Sequence, residues 1–405
     1  MNTKEKLKLY NQEHLLKFEN ELSNEQKQKL RNQIDSLNFE YLTELNKTNE
    51  HQEKVITPIK AITLPEIETN KQEFMDIGLK ALQNQEVGAM LLAGGMGTRL
   101  GSNNPKGMYN IGKTRDVYIF QRLIENLLDV VNLCGKYVPL FIMTSEHNHT
   151  ATTKFFKEHN YFGYDKNYIR FFKQEMAPCV DLNGKILLEN KYTVATSPNG
   201  NGGWFNSLLN NKEAKEMLEQ FNIKWLNMFG VDNVLQKIAD PVFIGATIKG
   251  NFEIGAKVIR KVDAFEKVGV MCHINGRPSI VEYIDLPESI ALQTDENGER
   301  LYNFGSILNN LLSVELLNRI KDNKLPVHVV TKKVEHIDEQ GNPVNPEAPN
   351  AHKFEMLWLD MMNFASTCLP FEVERQKEFA PIKNKTGVDS VESAQALLEL
   401  NGYKL

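Results

Sequence analysis

A short apolar run that ends in a glycine-rich segment is the feature that most constrains the fold of this chain. Residues 87–93 (VGAMLLA) are typical of a buried strand in a parallel sheet, and the segment GGMGTRLG follows at once, from Gly94 to Gly101. In such sheets ligands bind beyond the carboxyl ends of the strands, where glycines let backbone N–H groups approach a phosphate. The sequence therefore predicts an α/β fold with an anion site here, to which Arg99 adds a planar positive charge.

Two common phosphate-binding motifs do not fit this segment. A P-loop requires a lysine followed by serine or threonine directly after its last glycine, and Gly101 is followed by Ser102 and Asn103. The dinucleotide motif GxGxxG would need one residue fewer between Gly97 and Gly101. A tight turn without a ligand is the remaining alternative, which the cluster of glycines with Arg99 and Lys106 disfavours.

The apolar periodicity alternates between helix and strand up to about residue 230. Helical spacing at 118–131 and 152–159 separates strand-like runs at 138–145, 168–172 and 224–229, which predicts a Rossmann-like, mainly parallel sheet. After about residue 240, closely spaced glycines predict a region richer in strands and turns. Residues 1–57 contain no glycine or proline, and their apolar stripe with a capping box at Ser23 predicts an N-terminal helical layer.

The composition of the chain excludes several classes of function. Of its 405 residues 47 are basic and 52 acidic, and the net charge of −5 disfavours nucleic acid as the main partner. No apolar run is long enough to predict a membrane span, and the four cysteines are too scattered for a disulfide framework or a zinc site. Because the N-terminus is polar and lacks an apolar signal core, the cytoplasm is the expected location.

Asp232 follows the strand-like run 224–229, and its residue chemistry leaves two roles open. A carboxylate at the end of a buried strand is costly to bury without a partner. Mg²⁺ would be such a partner in a phosphate-transfer site, where it bridges carboxylate and phosphate oxygens. Aspartate is also a favoured N-cap, so Asp232 could instead cap a following helix.

Six segments in chain order carry a family resemblance between about residues 85 and 390. They are LAGGMGTRLG with PKGMY at 92–109, FKQEMAP at 172–178, SPNGNGG at 197–203, VDN with ADPVFIG at 231–245, VEY at 281–283 and FAPIKN at 379–384. Together they resemble the UDP-N-acetylhexosamine pyrophosphorylases of the wider UDP-sugar pyrophosphorylase family. The resemblance implies a Rossmann-like mixed sheet of the nucleotide-diphospho-sugar transferase (GT-A-like) type.

The activity implied by the resemblance is Mg²⁺-dependent uridylyl transfer, in which a sugar 1-phosphate attacks the α-phosphorus of UTP and pyrophosphate leaves. N-acetylglucosamine 1-phosphate is the first expectation, and glucose, galactose or another hexose 1-phosphate stays open. A glycosyltransferase and a non-catalytic UDP-sugar-binding protein are the alternatives from other classes. We expect a monomer or weak homo-oligomer that binds UTP and sugar 1-phosphate, without nucleic acid or membrane as partner.

The resemblance also implies roles for individual residues. Arg99 and Lys106 would neutralise the triphosphate as catalytic residues, and Asp232 would bind Mg²⁺. The remaining expected contacts are Leu92, Ala93, Gly94, Gly95, Gln174 and Gly202 to the nucleotide, and Asn201, Glu282, Ser306 and Lys383 to the sugar phosphate. Ser306 stands where the family typically has asparagine, which leaves the N-acetyl preference open.

We expect three regions along the chain. Residues 1–85 form the N-terminal helical segment, residues 86–345 the central nucleotidyltransferase domain, and residues 346–405 a C-terminal region that completes the site. This last region is shorter than the C-terminal domain of eukaryotic relatives and is therefore expected to be a reduced form of it.

Overall fold

The structure is a computed structural model that describes residues 2–45 and 54–405. Its α-helices are α1 (Thr3–Leu9), α2 (Asn24–Ser36), α3 (Tyr41–Glu44), α4 (Leu64–Gln83), α5 (Ile119–Cys134), α6 (His149–Glu158), α7 (Trp204–Asn210), α8 (Lys212–Gln220), α9 (Pro241–Lys249), α10 (Glu288–Ala291), α11 (Val314–Ile320), α12 (Trp358–Met362), α13 (Arg375–Glu378) and α14 (Val391–Leu400). Its strands are β1 (Ile56–Pro58), β2 (Val87–Leu92), β3 (Leu140–Thr144), β4 (Ile169–Lys173), β5 (Met176–Pro178), β6 (Val180–Asp181), β7 (Leu188–Asn190), β8 (Thr193–Val194), β9 (Thr196–Pro198), β10 (Trp225–Gly230), β11 (Ile254–Arg260), β12 (Val270–Ile274), β13 (Arg277–Val281), β14 (Phe304–Ser313), β15 (His328–Lys332), β16 (His336–Ile337), β17 (Pro343–Val344), β18 (Ala351–Glu355) and β19 (Cys368–Glu372).

The alternation predicted for the first half of the chain is confirmed. The expected strands at 87–93, 138–145, 168–172 and 224–229 are β2, β3, β4 and β10, and the expected helices are α5 and α6. None of the helices in the described part of the chain has the length and apolar character that crossing a bilayer requires.

Contacts between residues group the chain into two units, and the larger one is built on a ten-stranded mixed sheet. This unit contains the described residues from 54 to 173 together with 204–323 and 359–405. The strands β4, β3, β2 and β10 lie side by side and run parallel. Every residue of β2 is buried, as expected for a central strand covered on both faces. The α/β fold with the Rossmann-like mixed sheet implied by the resemblance is confirmed, whereas the mainly parallel sheet expected from the periodicity is wrong, because the strands beyond β10 pair mostly antiparallel.

Antiparallel pairing begins in the sheet where β14 joins β10, and it continues through β11, β12 and β13. The hairpin of β12 and β13 shows how the local sequence fixes this part of the sheet. Asn275 and Gly276 connect the two strands and both have positive φ, 50° and 76°. This two-residue turn is the one that asparagine followed by glycine favours, because its twist matches that of the paired strands.

The smaller unit contains the described residues up to 45 together with 174–203 and 324–358. Its helix α2 begins with the predicted capping box, in which Ser23 and Gln26 exchange side-chain and backbone hydrogen bonds. The buried side chains of its N-terminal helices pack with Val180, Val194 and Phe354 of the same unit. Both units are discontinuous in sequence, whereas the three regions expected from the sequence are contiguous.

A buried lysine connects three elements of the larger unit. Lys257 on β11 is fully buried, and its Nζ lies 2.9 Å from Oδ2 of Asp240 and 2.5 Å from Oε2 of Glu378. Asp240 is the N-cap of α9 and Glu378 is the last residue of α13. Burial alone would lower the pKa of Lys257, but the two carboxylates outweigh it and raise this pKa above its ordinary value.

We expect Lys257→Met to lower the free energy of unfolding by about 3–5 kcal/mol, because it removes the buried cation that bonds to both Asp240 and Glu378. The matched control is Lys249→Met, which removes an exposed ion pair with Glu73 and should cost at most about 1 kcal/mol. Denaturant unfolding of the two variants measures the difference. Equal losses would contradict the structural importance of the buried lysine.

Candidate functional site

The glycine-rich segment leaves the sheet beside the chain segment that contains Asp232. Leu92, the last residue of β2, is paired in parallel register with Gly230, the last residue of β10. Two neighbouring loops therefore begin at the same edge of the sheet, at Ala93 and Val231. The parallel pairing thus brings two of the segments identified in the sequence together.

The loop that follows β2 folds back on itself. Met96 and Pro105 form an antiparallel bridge, and the N–H of Gly97 donates to the carbonyl of Asn104 at 2.9 Å. The backbone N–H of Lys106 then donates to the carbonyl of Gly95 at 3.2 Å. Although Lys106 is distant from Gly95 in the sequence of the loop, the fold returns it to the loop's first glycines.

Two glycines of this region are needed for different physical reasons. Gly95 is exposed, and no atom of the described residues lies within 4 Å of the position that a Cβ would occupy there. A Cβ at Gly107 would instead overlap the ring of Phe120, so packing excludes a side chain at that position. Gly95 therefore borders open space, as a nucleotide contact requires, whereas Gly107 serves the packing of the loop on α5.

Asp232 lies two residues beyond the end of β10. Its carboxylate folds back over Gly230, where Oδ1 would be 2.8 Å from an added Cβ. The alternative that Asp232 caps a following helix is wrong, because the next helix, α9, begins at Pro241 and is capped by Asp240. The absence of a side chain at position 230 makes room for this carboxylate.

Backbone pairing brings Lys383 close to Asp232, although the two are far apart in the sequence. The N–H of Ile382 donates to the carbonyl of Asp232 at 2.9 Å. The side-chain oxygen of Asn233 accepts the N–H of Ala380 at 2.9 Å, so the two segments are held by backbone and side chain together. Lys383 follows directly and extends from this pairing.

The electrostatic interactions of Lys106 show that four of the predicted residues share one neighbourhood. Burial holds the pKa of Lys106 below its ordinary value, and the negative charge of Asp232 acts against this effect. The positive charges of Arg99 and Lys383 lower the pKa further. We call these four residues the charged cluster; its three cations and one carboxylate suit phosphate groups accompanied by a metal ion.

Glu282 and Ser306 both lie next to Gly269. The N–H of Ser306 donates to the carbonyl of Gly269 at 2.8 Å, and Oε1 of Glu282 would be 3.6 Å from a Cβ added to that glycine. Burial raises the pKa of Glu282, Asp285 adds to the rise, and Lys383 opposes it. Because Lys383 acts on both Glu282 and Lys106, it connects this pair with the charged cluster.

The sequence interpretation missed one charged neighbour of this site. Asp389 lies with Oδ2 3.0 Å from Nζ of Lys383, and its carbonyl accepts the N–H groups of Lys383 and Asn384 at 2.7 and 3.0 Å. Its backbone is in the left-handed region, with φ of 52°, which aspartate tolerates better than most residues. The only sequence signal was the nearby Gly387, which indicates a turn but not an ion pair.

Three of the predicted contacts, Gln174, Asn201 and Gly202, belong to the smaller unit. Gln174 is buried, and the side-chain oxygen of Asn201 accepts the N–H of Trp358 at 2.9 Å. The N–H of Gly202 donates to the carbonyl of Met356 at 2.8 Å, and an added Cβ would lie 2.9 Å from the carbonyl carbon of Met356. Close backbone approach therefore requires glycine at position 202.

The metal-binding capacity of the site depends on Asp232. Within residues 2–45 and 54–405, no three histidine, cysteine, aspartate or glutamate side chains are grouped so that they could hold a metal ion by themselves. A cation that is bound largely through substrate phosphates needs only one or two carboxylates from the protein. Asp232, within the charged cluster, fits a cation of that kind.

Comparisons with known proteins agree with this geometry. A family model described as UTP–glucose-1-phosphate uridylyltransferase matches residues 32–401. The chain is 39% identical over 321 residues to UDP-N-acetylhexosamine pyrophosphorylase-like protein 1 of Mus musculus, which covers 77% of this chain and 63% of that protein. It is 40% identical over 329 residues to UDP-N-acetylglucosamine pyrophosphorylase of Saccharomyces cerevisiae, covering 78% of this chain and 68% of that protein. The chain therefore spans less than two thirds of the mouse relative.

A solved structure extends the likeness to most of the fold. The chain is similar to the uridine diphosphate N-acetylglucosamine pyrophosphorylase of Trypanosoma brucei, with a TM-score of 0.83 and 26% sequence identity. The superposed regions cover 97% of this chain and 83% of that one. The predicted likeness of the sheet to UDP-sugar pyrophosphorylases is confirmed.

The lowered pKa of Lys106 predicts how nucleotide binding depends on pH. The side chain of Lys106 attracts phosphate only while its amine is protonated. The affinity for UTP should therefore fall as the pH rises through the pKa of Lys106, which lies below the ordinary lysine pKa of 10.5. In Lys106→Arg the charge persists over this range, so that decline should be absent. Calorimetric titration with UTP at increasing pH measures both proteins, and parallel profiles would contradict the assignment.

The same substitution to alanine should have different effects at Gly95 and at Gly107. Gly95→Ala should leave the melting temperature unchanged but weaken UTP binding, because its Cβ occupies only the open side of the loop. Gly107→Ala should lower the melting temperature, because its Cβ overlaps Phe120. Thermal unfolding and UTP titration of both variants test this contrast. Unchanged UTP affinity in a folded Gly95→Ala would show that Gly95 does not contact the nucleotide.

Proposed function

Because the chain belongs to the UTP–glucose-1-phosphate uridylyltransferase family, we propose that it makes a UDP-sugar and pyrophosphate from UTP and a sugar 1-phosphate. The family acts on UTP and sugar 1-phosphates. The observation that carries the proposal is the charged cluster beyond the ends of β2 and β10, where Lys106 interacts electrostatically with Arg99, Lys383 and the carboxylate of Asp232. N-acetylglucosamine 1-phosphate is the proposed sugar substrate, in keeping with the name of the yeast relative; the name of the mouse relative gives the broader class of N-acetylhexosamines.

The reaction needs no nucleophile from the protein. An oxygen of the sugar 1-phosphate attacks the α-phosphorus of UTP, and the bond from that phosphorus to the oxygen bridging to the β-phosphate breaks. Negative charge moves to the departing pyrophosphate, which Arg99 and Lys106 stabilise. Catalysis of this kind depends on positioning and on charge stabilisation in a site prepared before the reaction.

Members of this family generally use a divalent metal ion, and we propose Mg²⁺ here with Asp232 as its protein ligand. When bound, Mg²⁺ would neutralise phosphate oxygens and orient them for in-line displacement. The side chain of Asp232 folds over Gly230 at the end of β10, which leaves it beside the loop that begins at Ala93. The chemistry of a single carboxylate suits a cation held mostly by the substrate.

The remaining contacts are proposed according to the chemistry of each side chain. Backbone groups of the loop and the amide of Gln174 provide both donors and acceptors, which suits the uracil edge. Lys383 would bind the 1-phosphate, and Glu282 would bind sugar hydroxyls. The full proposed sets are Leu92, Ala93, Gly94, Gly95, Gln174 and Gly202 for the nucleotide, and Asn201, Glu282, Ser306 and Lys383 for the sugar phosphate. A cytoplasmic location and a monomeric or weakly associated state stay predictions.

A panel of sugar 1-phosphates tests the activity. The purified chain with UTP and Mg²⁺ should release pyrophosphate fastest with N-acetylglucosamine 1-phosphate, and more slowly with glucose or galactose 1-phosphate. A faster rate with an unmodified hexose would assign the sugar differently and would point to Ser306 as the cause. Absence of pyrophosphate release with every sugar would refute the uridylyltransferase function.

Two substitutions separate the proposed roles within the charged cluster. Arg99→Ala should lower kcat about 10²–10³-fold, as expected when one stabilising charge is removed from a transition state. Lys383→Ala should chiefly raise the KM for the sugar phosphate and leave the KM for UTP nearly unchanged. Lys249→Ala, at the exposed end of α9, is the control and should retain full activity. If Lys383→Ala changed only the KM for UTP, the role proposed for Lys383 would be wrong.

A further inference from the structure

Asn148 is a fully buried amide that lies between β3 and the glycine-rich loop. It immediately precedes α6, and its side chain has 0% exposure. Its Nδ2 donates to the carbonyl of Ala93 at 2.9 Å and lies 3.4 Å from the carbonyl of Gly95. Its Oδ1 accepts the N–H of Ser145 at 2.8 Å.

These bonds fix the direction of the loop's first peptide groups. Ala93 is held from both sides, because its N–H donates to the carbonyl of Met143 at 2.8 Å while its carbonyl accepts from Asn148. The carbonyl of Gly95 accepts both from Asn148 and from the N–H of Lys106. Because the carbonyls of Ala93 and Gly95 are both held by Asn148, the peptide groups between these two residues have a defined orientation.

We propose that Asn148 is a positioning residue for the nucleotide: it holds the loop that begins at Ala93 in the orientation that binds UTP. The inference rests on the proposed function, since UTP is the ligand that this function assigns to the loop. Asn148 itself is buried and does not touch the nucleotide. It acts through Ala93 and Gly95, whose carbonyls it binds, and through the backbone of Lys106, which shares the second carbonyl.

The amide group is needed because the position requires a donor and an acceptor at once. The neighbouring groups determine the orientation of the amide: two carbonyl oxygens face the nitrogen, and one N–H faces the oxygen. An aspartate at this position has the same shape but would direct a second carboxylate oxygen at the two carbonyls. An alanine would leave the buried carbonyl of Ala93 without this donor.

A purely structural role predicts a different result from a positioning role. If Asn148 only stabilises the start of α6, its loss lowers the melting temperature and leaves the affinity for UTP unchanged. If it positions the loop, the affinity for UTP falls even at temperatures where the protein is fully folded. The KM for the sugar phosphate serves as an internal reference, because the contacts of Lys383 and Glu282 do not involve Asn148.

The experiment compares Asn148→Asp and Asn148→Ala with the full-length wild-type chain at neutral pH. UTP binding is measured by calorimetry without sugar phosphate, and steady-state kinetics give both KM values. The matched control is Asn211→Ala, which removes the N-cap of α8, where the asparagine accepts the N–H of Ala214 at 2.9 Å. Melting temperatures of all four proteins ensure that binding is measured on folded protein.

We expect both substitutions at Asn148 to weaken UTP binding about tenfold or more, the order of loss caused by misplacing a bound substrate. Asn148→Asp should have the larger effect, and the KM for sugar phosphate should change less than about twofold in both variants. Asn211→Ala should bind UTP as the wild type does. Wild-type affinity for UTP in folded Asn148 variants would overturn the inference, as would an equal rise in both KM values. If the wild type itself neither bound nor converted UTP, the proposed function would fail instead.

Discussion

The parallel register between β2 and β10 is the constraint on which the site depends. It places Leu92 opposite Gly230, so the glycine-rich loop and the segment of Asp232 leave the sheet side by side. A shift of one residue would turn the side chains of a strand to the other face of the sheet. Every residue of β2 and every residue of β10 after Trp225 is buried, and the buried amide of Asn227 on β10 bonds to Asn309 and Asn310 of β14, which fixes β10 within the sheet. The chemistry proposed for the site is therefore a consequence of how the sheet is packed.

A second constraint brings the last part of the chain to the same edge. The segment from Ala380 to Ile382 pairs with the segment of Asp232 and Asn233. Two residues before it, Glu378 forms an ion pair with the buried Lys257. The segment that leads to Lys383 is therefore held by the buried ion pair of Glu378 with Lys257. The side chain of Lys383 is held by its ion pair with Asp389. Although the chain has a net charge of −5, the grouping of Arg99, Lys106 and Lys383 concentrates positive charge locally, as the proposed phosphate ligands require.

Sequence patterns predicted the fold where the signal is local. The strands β2, β3, β4 and β10 are short apolar runs, and their alternation with α5 and α6 was sufficient to predict the Rossmann-like part of the sheet. The two-unit division was not apparent, because each unit joins segments that are distant in the chain. The family resemblance named the site residues, but the electrostatic interactions of Lys106 with Asp232 and Lys383 required the structure.

Other features could not be predicted because one residue type serves several purposes. An aspartate after a strand can cap a helix or bind a cation, and only the position of α9 excluded the cap for Asp232. Lys257, Asp389 and Asn148 have ordinary sequence surroundings; their importance comes from partners on other elements of the fold. Buried polar groups of this kind are expensive unless they are satisfied, so their hydrogen bonds carry information that the sequence pattern lacks.

The reverse reaction tests uridylyl transfer at the charged cluster most directly. The chain is incubated with UDP-N-acetylglucosamine, Mg²⁺ and labelled pyrophosphate, and the products are separated. Attack of pyrophosphate on the phosphorus that carries the uridine should give labelled UTP and N-acetylglucosamine 1-phosphate in equal amounts, and no UDP. Formation of UDP with release of the sugar would indicate cleavage of the glycosidic bond instead, and absence of labelled UTP would contradict the proposed function.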